Sequence, residues 1–376
     1  MNNRVYKYFF HEFLRYFVLV LFAATAIIWT IQAVNFLDLV TDDGHAFRVY
    51  LYYSFLLLPK VITKLIPFTF LIASIITIIK LEKDNELIVL WTSGLNKIHI
   101  VYLIFRISLI ITLIQVLLSC FVTPETLKYS RSIIKNSQFQ FASSLLKEKQ
   151  FNDTVEGLTI FVNQKNVDGT LSNIFIKDQG QTLTNISSPN LSSTIFAKSG
   201  YMSGDEQSLI LHNGSIQKAS KDSKVNIIKF EKTIINLSGL TTKTITEPKI
   251  QETSTVQVLR CLKEKNMRMQ NCNLTSDYQK DLRIEINKRF GMPIYIPLIS
   301  LIICFLLSTR KDKKISPYRK YIYFTVCFIV LTASEITVRY SGNSFNNNLL
   351  YYLIPIVLLP ITYFFLVRTF KYENLN

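Results

Sequence analysis

Six stretches of this chain, residues 13–37, 65–79, 107–124, 290–309, 321–334 and 349–367, are almost free of charge. Most lie near or above the ~20 residues that a helix needs to cross ~30 Å of hydrocarbon, so the simplest reading is six membrane-spanning helices. The two shorter stretches reach spanning length only if charged residues are admitted at one end. These are Lys60 and Lys64 for the second span, and Glu335 and Arg339 for the fifth. Pro59, Pro67, Pro293, Pro297, Pro355 and Pro360 are expected to kink their helices, which spanning bundles tolerate.

A net charge of +16 suits nucleic acid and anionic lipid alike. Its distribution is that of a membrane protein, and no nucleic-acid partner is expected. The connections 1–10, 80–98, 310–320 and 368–376 together hold 13 Lys and Arg, whereas the opposite loops 38–50 and 339–348 hold only Arg48 and Arg339. Short loops rich in Lys and Arg stay on the cytoplasmic side, so both termini are expected in the cytoplasm. The first apolar stretch runs about 25 residues without a small-x-small cleavage site and reads as an uncleaved signal-anchor.

Residues 125–284 form a polar stretch of about 160 residues, long enough for a domain of its own and extracytoplasmic by the same charge rule. Its centre, roughly 155–240, alternates apolar and polar residues as half-buried strands do. "LTIFVNQKNVDGTLSNIFIKD" sets two β-rich runs around Asp168-Gly169, and "SLILHNGSIQ" sets two more around Asn213-Gly214. Both dipeptides tolerate the positive φ of tight turns, so both predict hairpins. With "STIFAKSGYM" and "VNIIKFEKTIINLSG", at least six strands are expected, enough for a sandwich or jelly roll. The flanks, 125–150 and 254–270, read as amphipathic helices. The expected fold is a polytopic α-helical membrane protein with six transmembrane helices (3+3) and an inserted periplasmic all-β jelly-roll-like domain. Residues 1–124 hold spans one to three, 125–284 the β domain with its flanks, and 285–376 spans four to six.

No G-x-x-x-x-G-K-[ST] loop is present to cradle ATP phosphates, so the chain is not expected to hydrolyse nucleotide. His11, His45, His99 and His212 have no H-E-x-x-H or C-x-x-C partner at ligand spacing, and no G-x-S-x-G elbow occurs. No catalytic residue, metal or cofactor is expected. Cys120, Cys304 and Cys327 fall in spans, where a thiol is a small apolar group. Cys261 and Cys272 fall outside the cytoplasm, where a disulfide is allowed; a separation of 11 residues neither requires nor forbids one.

Charge at the centre of a bilayer costs about 2.5–3.5 kcal/mol, so charges in or beside spans have a partner or a task. At 1.5 Å per residue from Lys80, Lys60 and Lys64 lie roughly 30 and 24 Å away, at the outer boundary of the second span. Their i, i+4 spacing puts both ammonium groups on one helix face, suited to a lipid phosphate or to snorkelling at a helix end. Glu335 and Arg339 share that spacing in the fifth span, as an ion pair or as ligand contacts. Glu285 and Arg289 share it at the entry to the fourth.

"KDNELIVLWTSG", Lys83–Gly94, interrupts the apolar stretches on the cytoplasmic side. Leu87, Leu90 and Trp91 recur at i, i+3 and i+4, Asp84 and Glu86 favour a helix start, and Gly94 is a natural stop. A short amphipathic helix over 83–96 follows, either lying on the membrane or presented to a partner.

"DNELIVLWTSG" resembles the D-x-E-[LM]-x-x-[LM]-x-x-x-G coupling segment of the lipopolysaccharide export permeases, the LptF/LptG family. "LPKVITKLIP", "GLTIFVNQKNVDGTLSNIFIKD", "LILHNGSIQ" and "EINKRFGMP" resemble that family in the same order along the chain. The resemblance implies an inner-membrane permease, non-catalytic itself, that extracts lipopolysaccharide among the membrane lipids. Its implied partners are a paralogous LptG-type subunit, a cytoplasmic LptB-type ATPase dimer and an LptC/LptA-type periplasmic bridge protein.

The same resemblance implies that Asp84, Glu86, Leu87, Leu90, Trp91 and Gly94 form a coupling helix docked in the ATPase, with Glu86 facing a basic residue. Trp91 and Thr92 depart from the commoner Arg-Ala or His-Ala. Lys60, after Pro59, matches a basic position of some members, and Glu335 and Arg339 would lie near a lateral gate. "NELIVL" with its Thr-Ser-Gly turn, and the loop "LDLVTDDGHAF", look closer to the F-type subunit. On the residues alone, a membrane-anchored sensor or scaffold without an ATPase stays open.

Overall fold

A computed structural model describes residues 2–37, 40, 47–136, 148–155, 157–166, 168–179, 192–203, 208–219, 225–236, 249–263, 276–308 and 317–375. Most of the loop 38–46, the basic residues Arg310, Lys311, Lys313 and Lys314, and Cys272 lie outside the described residues. The chain divides into two units. One comprises Met1–Ile31, Leu57–Lys128 and Lys249–Asn376, the other Gln32–Leu56 and Tyr129–Pro248.

Six helices are long and apolar enough to cross a membrane. The first span is α1 (Asn2–Asn35). After α2 (Phe47–Leu56) comes α3 (Leu58–Lys83), the second span, which carries Lys60 and Lys64 within its length as the spanning argument requires. A short α4 (Glu86–Thr92) precedes α5 (Lys97–Leu117), the third span, which runs through a π-helical turn, Leu118–Val122, into α6 (Thr123–Asn136). Past the sheet and α7 (Thr255–Lys263), α8 (Ser276–Ile286) runs through a second π turn, Asn287–Gly291, into α9 (Met292–Cys304), the fourth span. The fifth and sixth spans are α10 (Pro317–Ser341) and α11 (Phe345–Leu375). The described residues 249–263 and 276–284, placed by the sequence reading in the domain 125–284, fall in the helical unit.

The spans are unequally packed. Of the most apolar window of the fourth span 72% is buried within the chain, and of the second 56%, against 11%, 22% and 17% for the first, fifth and sixth. The centre of the bundle is therefore α9 against α3 and α5, with Phe70, Ile78, Ile296, Ile299 and Ile303 wholly enclosed. Lipid tails are as apolar as these side chains, so what this core gains is close packing rather than escape from water.

The second unit holds one antiparallel sheet of six strands in chain order: β1 (Phe151–Val155), β2 (Leu158–Lys165), β3 (Thr170–Asp178), β4 (Ser193–Met202), β5 (Ser208–Ala219) and β6 (Val225–Asn236). Four of the expected runs are β2, β3, β4 and β6; the two runs expected on either side of Asn213-Gly214 form one strand, β5, and β1 was not among the expected runs. Their order is that of a meander; the crossover connections of a jelly roll do not occur among the described strands. Asp168 and Gly169 make the β2–β3 hairpin, with Gly169 at φ +76°.

Asn213-Gly214 is not a turn, contrary to the hairpin expectation. Both residues lie inside β5, where Ser199 faces His212 and Ala197 faces Gly214 in unbroken register. Asn213 has φ +49°, and Asn173 on β3 has φ +50°. The paired registers skip Asn163, Asn173, Lys198, Asn213 and Glu231, a single row across five strands. At that row the buried face changes parity: Leu171 gives way to Ile174, Ala197 to Gly200, and Leu211 to Ile216. Strand side chains alternate with period two, so only a local break of this kind lets one strand bury odd and then even positions. The positive φ read from Asn-Gly is real, but it creases a long strand instead of reversing the chain.

Candidate functional site

The two π turns, one ending the third span and one opening the fourth, lie against each other in the helical unit. A π turn loosens the backbone ladder, and here side chains take up the freed carbonyls. Thr255 Oγ1 donates to the Cys120 carbonyl at 2.6 Å, and Ser119 Oγ donates to the Arg289 carbonyl at 3.4 Å.

Arg289 is 2% exposed. Its Nε donates to Glu285 at 3.1 Å, the ion pair expected from the i, i+4 spacing. The rest of its guanidinium was not legible in the sequence. Nη1 donates to Thr255 at 2.9 Å, and Nη2 is shared among the carbonyls of Ile250, Gln251 and Thr253 at 3.1–3.5 Å. Arg289 thus fastens the segment 250–255 to the fourth span, with Nε and Nη2 fully engaged within the chain.

Beside the π turns opens a cavity of about 360 Å³, within the range of ligand sites. Lys60 and Lys64 both line it, half-buried and exposed respectively, and Lys288 joins them from the second π turn. None of these three lysines has an ion-pair partner among the described residues. Gln115 of the third span, 3% exposed, donates through Nε2 to the Thr63 carbonyl at 3.2 Å, while its buried Oε1 has no partner. The cavity therefore offers three ammonium groups, hydroxyls from Thr63, Ser119 and Thr123, and an unfilled acceptor. Gln115 went unread in the sequence; its signal was a lone amide inside an otherwise apolar span.

Glu335 also lines this cavity, and with Arg339 and Lys280 it lines a second pocket. Glu335 and Arg339 do not form the expected ion pair. An i, i+4 pair at an exposed helix end contributes under ~0.5 kcal/mol, so the spacing alone does not enforce it.

At the far end of α3 stands the short helix α4. It covers 86–92 rather than 83–96, and Asp84 is the exposed C-cap residue of α3 instead of part of the first turn. Gly94, at φ +85°, closes the helix in a Schellman arrangement: its N–H meets the Trp91 carbonyl at 3.2 Å, and that of Leu95 meets the Leu90 carbonyl at 3.1 Å. Leu87 and Trp91 are rooted in the helical core, and Leu90 packs on its edge. The Lys97 ammonium lies 5.7 Å from the rings of both Trp91 and Phe370, a cation–π seat. Glu86, half-buried, accepts a hydrogen bond from Tyr8 at 2.9 Å. Asp84, Val89, Thr92 and Ser93 face outward.

Cys120, Cys304 and Cys327 are free and buried, and Cys261 is disulfide-bonded. Among the described residues no cluster of three His, Cys, Asp or Glu could hold a metal ion.

The chain is 28% identical over 238 residues to the uncharacterized protein RP871 of Rickettsia prowazekii (strain Madrid E), a match covering 62% of this chain and 63% of that relative. A family model described as the lipopolysaccharide export system permease LptF/LptG matches residues 7–369, from the first span through the sheet to the sixth. Six spans around an inserted sheet, with a match of that length, mean that this chain belongs to the lipopolysaccharide export permease family LptF/LptG.

Proposed function

We propose that this chain is a permease subunit, of the F type, in an ATP-binding-cassette exporter that draws lipopolysaccharide from the inner membrane. On this reading the basic end of the bundle is cytoplasmic and the sheet periplasmic, and the β domain passes the lipid towards an LptC/LptA-type bridge protein. An LptG-type subunit completes the permease, and an LptB-type ATPase dimer hydrolyses the ATP. The observation that carries the reading is the layout of one helix. α3 leads at one end into α4, with its outward Asp84 and Val89, and bears Lys60 and Lys64 in the cavity at the other, roughly 30 Å away.

The cavity suits the phosphorylated, hydroxyl-bearing head of such a lipid. Lys60, Lys64 and Lys288 meet phosphate as charge-assisted donors, and the open oxygen of Gln115 accepts from a hydroxyl or amide. Arg289 and Glu285 frame the cavity. Glu335 and Arg339, on the thinly packed fifth span, border the route of the lipid. In α4, Leu87, Leu90 and Trp91 root the helix, Gly94 ends it, and Asp84 and Glu86 meet a basic groove of the ATPase.

Two measurements check this. Glu86→Ala leaves the chain inserted but weakens ATPase binding by about 1.5–3 kcal/mol, the value of a hydrogen bond to a charged group; normal lipid release by that variant in reconstituted vesicles would remove Glu86 from the docking surface. Charge reversal at Lys60, Lys64 and Lys288 lowers lipid cross-linking and ATP-driven release together, and unchanged values for both would reduce these lysines to helix-end anchors. Purification from native membranes without any ATPase would favour a sensor or scaffold.

A further inference from the structure

The segment joining the second span to α4 is latched to two other spans. Lys80 pairs with Glu12 of the first span, and its ammonium also lies 5.7 Å from the Tyr16 ring of that span. Glu82 pairs with Lys320 of the fifth span at 2.7 Å. Both carboxylates are buried, Glu12 at 5% and Glu82 at 6% exposure. A buried charge stripped of its partner is costly, so such a pair stays made while its elements move. Apolar packing has no such directional hold.

The two latched spans are thinly held elsewhere. The first buries Phe9, Glu12 and Phe13 near the latch, while Val18, Leu19, Phe22, Ile27 and Ile31 beyond it are exposed. The fifth, with Lys320 one turn from its start, is likewise among the least buried of the six. A helix is stiff along its axis, and a network of ion pairs between stiff elements carries displacement from one to another. We propose that Glu12–Lys80 and Glu82–Lys320 are positioning contacts that carry movement of α4 into the first and fifth spans. This rests on the reading of α4 as the ATPase docking helix.

The test uses the whole complex with its ATPase, reconstituted in vesicles containing lipopolysaccharide, and reads lipid released per ATP hydrolysed. Glu82→Gln, Lys320→Gln and Lys80→Gln should each keep ATP hydrolysis while lowering that ratio roughly tenfold, within the usual span of coupling between sites. The exchange of Glu82→Lys with Lys320→Glu should restore most of it. If Glu82→Gln does not fold, Lys320→Gln, at the more exposed partner, carries the measurement. A spin-label pair at the exposed Val18 and Ile329 should report an ATP-driven distance change that Lys320→Gln abolishes. An unchanged ratio, hydrolysis and release falling in proportion, or an exchange no better than the single variants would overturn the latch. No ATP-driven release by the wild-type complex would instead overturn the transport reading beneath it.

Discussion

Replacing Arg289 by methionine should destabilise the helical unit by about 3–5 kcal/mol, the cost of stripping one partner from a buried ion pair. Methionine fills much the same volume, so the loss reports hydrogen bonds rather than a hole. Glu285 would lose its pair, Thr255 its donor, and the carbonyls of Ile250, Gln251 and Thr253 their shared guanidinium nitrogen. Arg289→Lys should recover only part, because one ammonium cannot replace a planar fork reaching five acceptors. The double variant Arg289→Met with Glu285→Leu separates the causes. It removes the stranded carboxylate but still strips the Gln251 and Thr253 carbonyls of their guanidinium donor, while Ile250 and Thr255 keep their bonds to Thr253 and Cys120, so a deficit of ~1–3 kcal/mol should persist. Thermal unfolding of the detergent-solubilised chain measures both. A single-variant loss under ~1 kcal/mol would mean that water satisfies these groups and that Arg289 is no clamp.

Gly214→Ala is the second large effect expected, and it falls on the sheet. A Cβ there would lie 2.2 Å from the Phe196 carbonyl oxygen and 2.4 Å from the Phe230 ring. β5 is paired on both sides, to β4 and β6, so the backbone on either flank has no room to withdraw. Overpacking of this kind costs about 1–3 kcal/mol, and more where the obstacle is backbone; ~3 kcal/mol is expected. Its neighbour Asn213 supplies a control. Asn213→Val forces a β-branched residue to φ +49° and should cost ~1–2 kcal/mol, while Asn213→Gly should be nearly neutral. Amide exchange across β4, β5 and β6 in the full-length chain reads all three. Wild-type protection in Gly214→Ala would show that the crease relaxes.

How much of this was legible before the fold depends on how far each signal reaches. The spans could be read because insertion sums over the residues of each helix alone, and the admission of Lys60, Lys64, Glu335 and Arg339 followed from length. Gly94 as a helix stop, Asp168-Gly169 as a hairpin and Glu285–Arg289 as a pair were legible for the same reason: each involves residues within a few positions. Where local signals failed, distant residues had decided. Asn213 takes the positive φ its chemistry allows, but a strand on each side turns that freedom into a crease. Glu335 and Arg339 have ideal spacing and no ion pair, since an i, i+4 pair worth under ~0.5 kcal/mol is too weak for spacing to dictate it.

Local chemistry therefore determined the parts: six spans, an inserted antiparallel sheet, a short rooted helix at a basic end, and cations at the opposite end of the second span. Tertiary structure decided the partners. Glu82 finds Lys320, Arg289 gathers the carbonyls of 250–253, and Lys288 and Gln115 join Lys60 and Lys64 around one cavity. Composition and spacing fix what each residue can do, but a buried charge settles on whichever partner packing brings within reach, and that distance is a property of the whole bundle.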